Sequence, residues 1–466
     1  MWASVEISGL PAFNPIAFSR YDLDSMKKFY PVSGSFAKEP NGKQHFVVDS
    51  ARLGVPDSLG TYAKSIDPPT PELKKGTIGG PDRAEDTKKI IQANRSERYF
   101  LLNSARYLLI NAGKNAGLKH PANYHRTAKC KHIRHGDAVG VHLAPEYKSA
   151  FYSGLVTCGS VWACPVCTAK VQERRREEIA KGIDWAYKSN IQPMLVTLTF
   201  PHYAWQKLSK LLSQQKTALA LLRSGAPWKR FIEREKYEGL IRSLELTHGQ
   251  NGWHLHTHEL WFVAKDSDPI KVQNIVLERW KSACSRAGLL DLKNTFQVSA
   301  FEAHAVNVKG NCSASDYLAK MDDSKNWGVD RELAKSTSKA GKASGKHPFG
   351  LLADYANRDI RSGRLFLAYV LAMKGKRQIF WTHGLKKRAG VGEVSDEVLA
   401  EQEQEKADAL GLLDDEDWET VRSSGARAQV LDAAESGGWP AVQSLLERLT
   451  VAEIKRLEAL LSLGGP

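Results

Sequence analysis

Polar and apolar positions alternate most regularly between Trp253 and Phe262, where the chain reads Trp-His-Leu-His-Thr-His-Glu-Leu-Trp-Phe. A period of two is that of an extended strand, so His254, His256 and His258 share one face, with Trp253, Leu255 and Thr257 on the other. One strand earlier, Gly239 to Thr247 is β-prone and runs into His248-Gly-Gln-Asn-Gly252, a cluster of turn residues. Two such runs around a turn predict an antiparallel hairpin. With the turn centred near Gln250 and Asn251, Glu245 lies opposite His256 on the same face, between Leu244 and Leu246. A slip of one residue would turn Glu245 away.

Helical spacing of apolar residues marks Glu97–Ala112 (Tyr99, Leu102, Ala105, Leu108, Leu109) and Val171–Trp185, whose stripe includes Val171, Ile179 and Ile183. Arg174, Arg175 and Arg176 in the second helix are placed either to meet phosphate or on a solvated face. Met194–Phe200 reads as a strand, and Leu208, Leu211, Leu212, Leu219 and Leu222 as the stripe of a long helix. Pro269–Ala287 reads as a helix, Thr295–Glu302 as a strand and Leu365–Met373 as a core helix. Ser313 or Ser315 is suited to cap a helix carrying Tyr317 and Lys320 on one face. Lys335–Lys346 is a small basic loop, either a phosphate contact or a plain linker. Strand, helix, hairpin, helix and strand together predict an α+β fold, a central antiparallel sheet with helices on one side.

Four regions follow. Residues 1–95 form a poorly defined N-terminal extension, 96–190 a helix and a Cys-rich segment, 191–385 the sheet domain, and 391–466 a separate acidic helical module. From Val391 onward 17 acidic residues face 6 basic ones, leaving 60 basic and 35 acidic residues before it. So basic a body suits a polyanion, nucleic acid first. No run approaches the roughly 18 apolar residues of a membrane span. The N-terminus lacks the blocks of a signal peptide, which reads as a cytoplasmic protein.

Two groups of residues carry chemistry. A carboxylate facing two imidazoles is a mixed oxygen and nitrogen donor set, suited to Mn or Mg and open to Zn or Ni. Four of the six cysteines are Cys130, Cys158, Cys164 and Cys167, the last two in a C-P-x-C knuckle. The spacing fits a structural four-sulfur zinc site, with a redox Cys-x-x-Cys as the rival and His132 or His135 as alternatives to Cys130. Cys284 and Cys312 read as ordinary buried thiols.

Three blocks stand in a definite order: Leu195-Val-Thr-Leu-Thr-Phe200, the histidine strand, and Tyr317-x-x-Lys320. That order resembles the HUH endonucleases, specifically the rolling-circle replication initiator (Rep) proteins of small bacterial plasmids. The resemblance covers roughly residues 125–385 and is closest in Cys158–Cys167, Arg242–His258 and Asp316–Met321. It implies a ferredoxin-like nuclease domain over 191–385 and a histidine pair of His256 and His258, the two followed by Glu259 and Leu260. Thr257 stands where the family carries a bulky hydrophobe. Centring the pair on Leu255 instead gives His254 and His256, so His254 is an extra ligand or a neighbour. The resemblance further implies Tyr317 as nucleophile, Lys320 as its helix neighbour, and Met321 where two-tyrosine relatives place a second. Asp316 is the one acidic residue where related initiators keep a water-activating Glu.

The implied activity is a Mn- or Mg-assisted nick in one DNA strand at a plasmid origin, single-stranded or hairpin. It leaves a 5′-phosphotyrosine and a 3′-hydroxyl primer, with host helicase and polymerase as partners and oligomerisation open. The competing readings are a non-catalytic, zinc-stabilised DNA-binding protein and a zinc hydrolase that adds a remote His304.

Overall fold

The hairpin pairs in the expected register, with Glu245 opposite His256 and the turn closed between Gly249 and Gly252. Gly252 takes a φ of +80°, and a Cβ there would stand 2.8 Å from Ala204 Cα. Only glycine both turns this corner and admits that backbone. The computed structural model describes residues 34–38, 44–48, 81–144, 149–313, 345–401 and 407–463.

The chain divides into two units, Met1–Gly80 and Pro81–Pro466. In the first, β1 (Gly34–Lys38) and β2 (Gln44–Val48) pair antiparallel. The second opens with α1 (Pro81–Asn115), so the helix expected from Glu97 starts earlier. Strands β3 (Val139–Ala144) and β4 (Ser149–Tyr152) precede α2 (Pro165–Lys188). Strand β5 (Ile191–Leu198), helices α3 (Leu208–Leu222) and α4 (Gly225–Glu235), and strands β6 (Gly239–Gly249) and β7 (Gly252–Ala264) follow. Next come α5 (Pro269–Arg286), α6 (Thr295–His304), β8 (Val306–Lys309), α7 (Pro348–Ala356), α8 (Ile360–Met373) and β9 (Ile379–Trp381). The last elements are α9 (Leu385–Arg388), α10 (Asp396–Glu401), β10 (Asp408–Leu413), α11 (Asp415–Ser423) and α12 (Arg427–Leu463).

The central sheet has five antiparallel strands in the order β8-β5-β7-β6-β9. Leu255, Trp261 and Val263 of β7 join Leu211, Leu219, Val272 and Trp280 of α3 and α5 in the main core. The opposite face is not bare, which corrects the expectation of helices on one side. Ile179 and Ile183 of α2 pack there on Leu195, Leu260 and Phe262. The α2 stripe was legible, but its destination depends on a chain reversal that periodicity does not encode. Helix α2 covers the end of β7 away from the turn and leaves the histidine end free of it.

Two further expectations change. Thr295–Glu302 is helical, not a strand. Asn294 caps it by accepting from the Gln297 N–H, and only Phe301 is buried. The edge beside β5 is taken by β8 a few residues later. The acidic C-terminal region is not a purely helical, separate module. Its β10 pairs with β3 to complete a three-stranded sheet, β10-β3-β4. Its acids meet cations of the body: Arg95 with Asp432 and Glu435, Arg126 with Glu397, Arg134 with Asp415, and Arg175 with Asp396. Arg174 and Arg176 pair with Glu177 and Glu173 along α2, as on a solvated face, whereas Arg175 is largely buried between Glu178 and Asp396, which neither expectation foresaw. Among the described residues no helix is long and apolar enough to cross a membrane.

Candidate metal centres

Alternation along β6 and β7 brings Glu245, His256 and His258 together, with one donor atom of each within 4.8 Å of the others. Glu245 Oε2 lies 3.1 Å from His256 Nε2 and 3.4 Å from His258 Nε2. Burial alone would raise the Glu245 carboxyl. Hydrogen bonds and charge from His256 and His258 outweigh it and hold the group lowered to about 2. The carboxylate is thus ionised and only 8 % exposed, with two imidazoles aimed at one of its oxygens. This donor chemistry fits a divalent cation that takes oxygen and nitrogen together. His256 Nδ1 is buried and has no hydrogen-bond partner among the described residues.

His254 falls outside this group. Its Nε2 is hydrogen-bonded to Thr199 Oγ1 at 3.0 Å, and its ring stacks on His202 with centroids 4.7 Å apart. Burial, then the charges of His256 and His202, lower its pKa to about 4. His258 Nδ1 is held by Thr197 Oγ1 at 3.0 Å, which leaves Nε2 to face Glu245. Sequence reasoning singled out the β5 run but not these hydroxyls. The signal was present, because Thr197 sits directly opposite His258 in register.

The second group gathers Cys130, Cys158, Cys164 and Cys167, all buried and none in a disulfide. The Sγ separations are 3.5 Å for Cys130–Cys167 and 3.7 Å for Cys158–Cys167 and Cys164–Cys130. Four sulfurs at zinc-ligand distance in a tetrahedron stand roughly 3.8 Å apart, so the fit is close. The Cys167 N–H donates to Cys164 Sγ and the Ser160 N–H to Cys158 Sγ, and α2 begins on the knuckle itself. Cys130 takes the fourth place; neither His132 nor His135 enters the group. Burial lowers the His132 pKa to about 2. Cys284 and Cys312 are buried elsewhere, and burial raises the Cys284 thiol. Tyr317, Lys320, Asp316 and most of the Lys335–Lys346 loop lie outside the described residues. His304, at the end of α6, belongs to neither group.

An antiparallel α/β protein with a four-cysteine cluster and a Glu-His-His group on a central hairpin is thus defined. A sequence profile of the family described as "Replication protein" matches residues 155–423, more than half the chain, and the chain belongs to that family. It is 27 % identical over 298 residues to "Protein rep" of Streptomyces lividans, covering 51 % of this chain and 64 % of that one. It is also 31 % identical over 142 residues to "Neomycin resistance protein" of Streptomyces cyanogenus, covering 24 % of this chain and 31 % of that one. In both cases the match spans less than two thirds of the relative's own length. No solved structure matches.

Proposed function

We propose that the chain initiates plasmid rolling-circle replication by nicking one DNA strand, with residues 191–385 as an HUH-type endonuclease domain. The observation that carries this reading is the convergence of Glu245, His256 and His258 on one face of the central hairpin, inside the stretch matched by the family. These three residues would hold a Mn or Mg ion. Such an ion supplies polarisation of the scissile phosphate and neutralises charge as it develops there. The Cys130–Cys158–Cys164–Cys167 group would hold a structural zinc, tying the segment after α1 to the head of α2.

The chain's own part in the reaction is covalent. Tyr317 attacks the scissile phosphorus, a Tyr–O–P bond forms and the P–O3′ bond breaks, and the phenol proton ends on the released 3′-hydroxyl. Phosphodiester energy is conserved in the 5′-phosphotyrosine, and the free 3′ end is left for a polymerase to extend. A phenol with a pKa near 10 is almost wholly neutral at pH 7, so Lys320 is assigned to favour its ionised form. His258 is held in one ring orientation by Thr197, and Glu245 is kept ionised by its two histidines.

The test is incubation with single-stranded and hairpin oligonucleotides in Mn, Mg or EDTA, followed by denaturing electrophoresis and mass spectrometry of any adduct. Wild type should form an SDS-stable protein–DNA adduct on Tyr317, and Tyr317→Phe should bind without forming one. Binding with no adduct from wild type would leave the non-catalytic, zinc-stabilised DNA-binding reading.

A further inference from the structure

The loop from β5 to α3 carries two aromatic side chains that the chemistry above does not use. Trp205 is 76 % exposed and Tyr203 is 41 % exposed, and their rings stack with centroids 6.0 Å apart at 7°. The loop is firmly held. The Tyr203 N–H donates to Gln206 Oε1, the Gln206 N–H donates back to the Tyr203 carbonyl, and Gln297 Nε2 donates to the Tyr203 hydroxyl. The hairpin tip presses on it, since a Cβ on Gly252 would meet Ala204 Cα and the Tyr203 carbonyl. An ordered loop that spends two rings on solvent offers flat faces, and the pair follows directly on His202, which is stacked on His254 at 5°. Lys207 and Lys210 come next, both exposed, at the head of a helix whose first turn holds no acid.

We propose that Tyr203 and Trp205 form a base-stacking platform that receives single-stranded DNA and leads it toward the Glu245–His256–His258 group, a role that rests on the nuclease reading. The rings take successive bases, and Lys207 and Lys210 meet the phosphates between them. Stacking needs only a π face, so the platform tolerates sequence, but it needs unpaired bases. Duplex DNA hides those faces.

Anisotropy of a labelled, unstructured oligonucleotide, in EDTA at one fixed salt concentration, tests this without any cleavage. Trp205→Ala and Tyr203→Ala should each weaken single-strand binding by about five- to a hundredfold. Trp205→Phe should keep most of the affinity, and binding to the same sequence as a blunt duplex should hardly change. Unaltered melting temperatures would show that the variants fold. Trp205→Ala binding single strands like wild type would overturn the proposal, as would equal losses on single strand and duplex. A protein that binds through Trp205 but never forms a tyrosine adduct would sink the nuclease reading alone. A protein that nicks normally with Trp205→Ala at full affinity would sink the platform alone.

Discussion

The Thr197 hydroxyl stands 3.0 Å from Nδ1 of His258, and that hydrogen bond decides which ring nitrogen faces Glu245. Outer partners of this kind fix ring orientation, and losing one typically costs about 10- to 100-fold in metal affinity. Thr197→Val should therefore weaken Mn binding by about tenfold or more, and Thr197→Ser should restore it. Titration calorimetry or the Mn EPR signal would show the difference. Equal affinity in Thr197→Val would mean the ring is held by packing alone.

The three histidines should not be equivalent. His256 and His258 point at the Glu245 carboxylate, whereas His254 is engaged with Thr199 and His202. His256→Ala, His258→Ala and Glu245→Ala should each abolish measurable Mn binding and adduct formation. His254→Ala should keep the metal and lose at most a few-fold in rate. A metal-free His254→Ala protein would return His254 to the pair in place of His258.

The cysteine group should hold about one zinc per chain, because its four sulfurs already stand at tetrahedral spacing. Removing zinc with a strong chelator should lower the melting temperature and expose thiols to Ellman's reagent. Cys164→Ser should do the same without a chelator, and Cys284→Ala should leave the zinc content unchanged. A fully folded Cys164→Ser protein with wild-type melting would argue against a structural metal.

The hairpin and its Glu245–His256 pairing were legible because period two and a two-residue turn leave one register, in which Leu246 and Leu255 face each other in the core. The cysteine group was legible because its spacing is local at the C-P-x-C knuckle. Three features were not. Thr295–Glu302 carries β-prone residues, yet Phe296 is 84 % exposed and the Asn294 cap settles a helix. Strands β8, β9 and β10 are short, and each exists only because a partner edge lies beside it. The placement of α2 on the second face, and of the acidic C-terminal region against the basic body, depends on contacts far apart in sequence. Those are tertiary facts, and amphipathic pattern says only that a stripe must be covered.

On the opposite face of β7 from the histidines, Glu259 is fully buried and ion-paired with Arg223, and its Oε2 also accepts from Trp261 Nε1 at 2.7 Å. Around them Trp228, Phe231, Tyr237 and Trp261 pack ring to ring. Burial lowers the Arg223 pKa on its own, but the charges of Glu259 and Tyr237 prevail and keep it raised. Removing one partner of such a pair strands the other, at a cost of about 3–5 kcal/mol. Arg223→Met should therefore lower the unfolding free energy by about that amount, and Glu259→Gln by somewhat less, since the amide still accepts from Trp261. The double variant should be more stable than Arg223→Met alone, because no unpaired charge is left inside. Urea unfolding of the four proteins gives the coupling directly. Mn binding by those that remain folded should be unchanged, since Glu259 points away from Glu245, His256 and His258. Additive losses would show that the pair contributes through packing rather than charge.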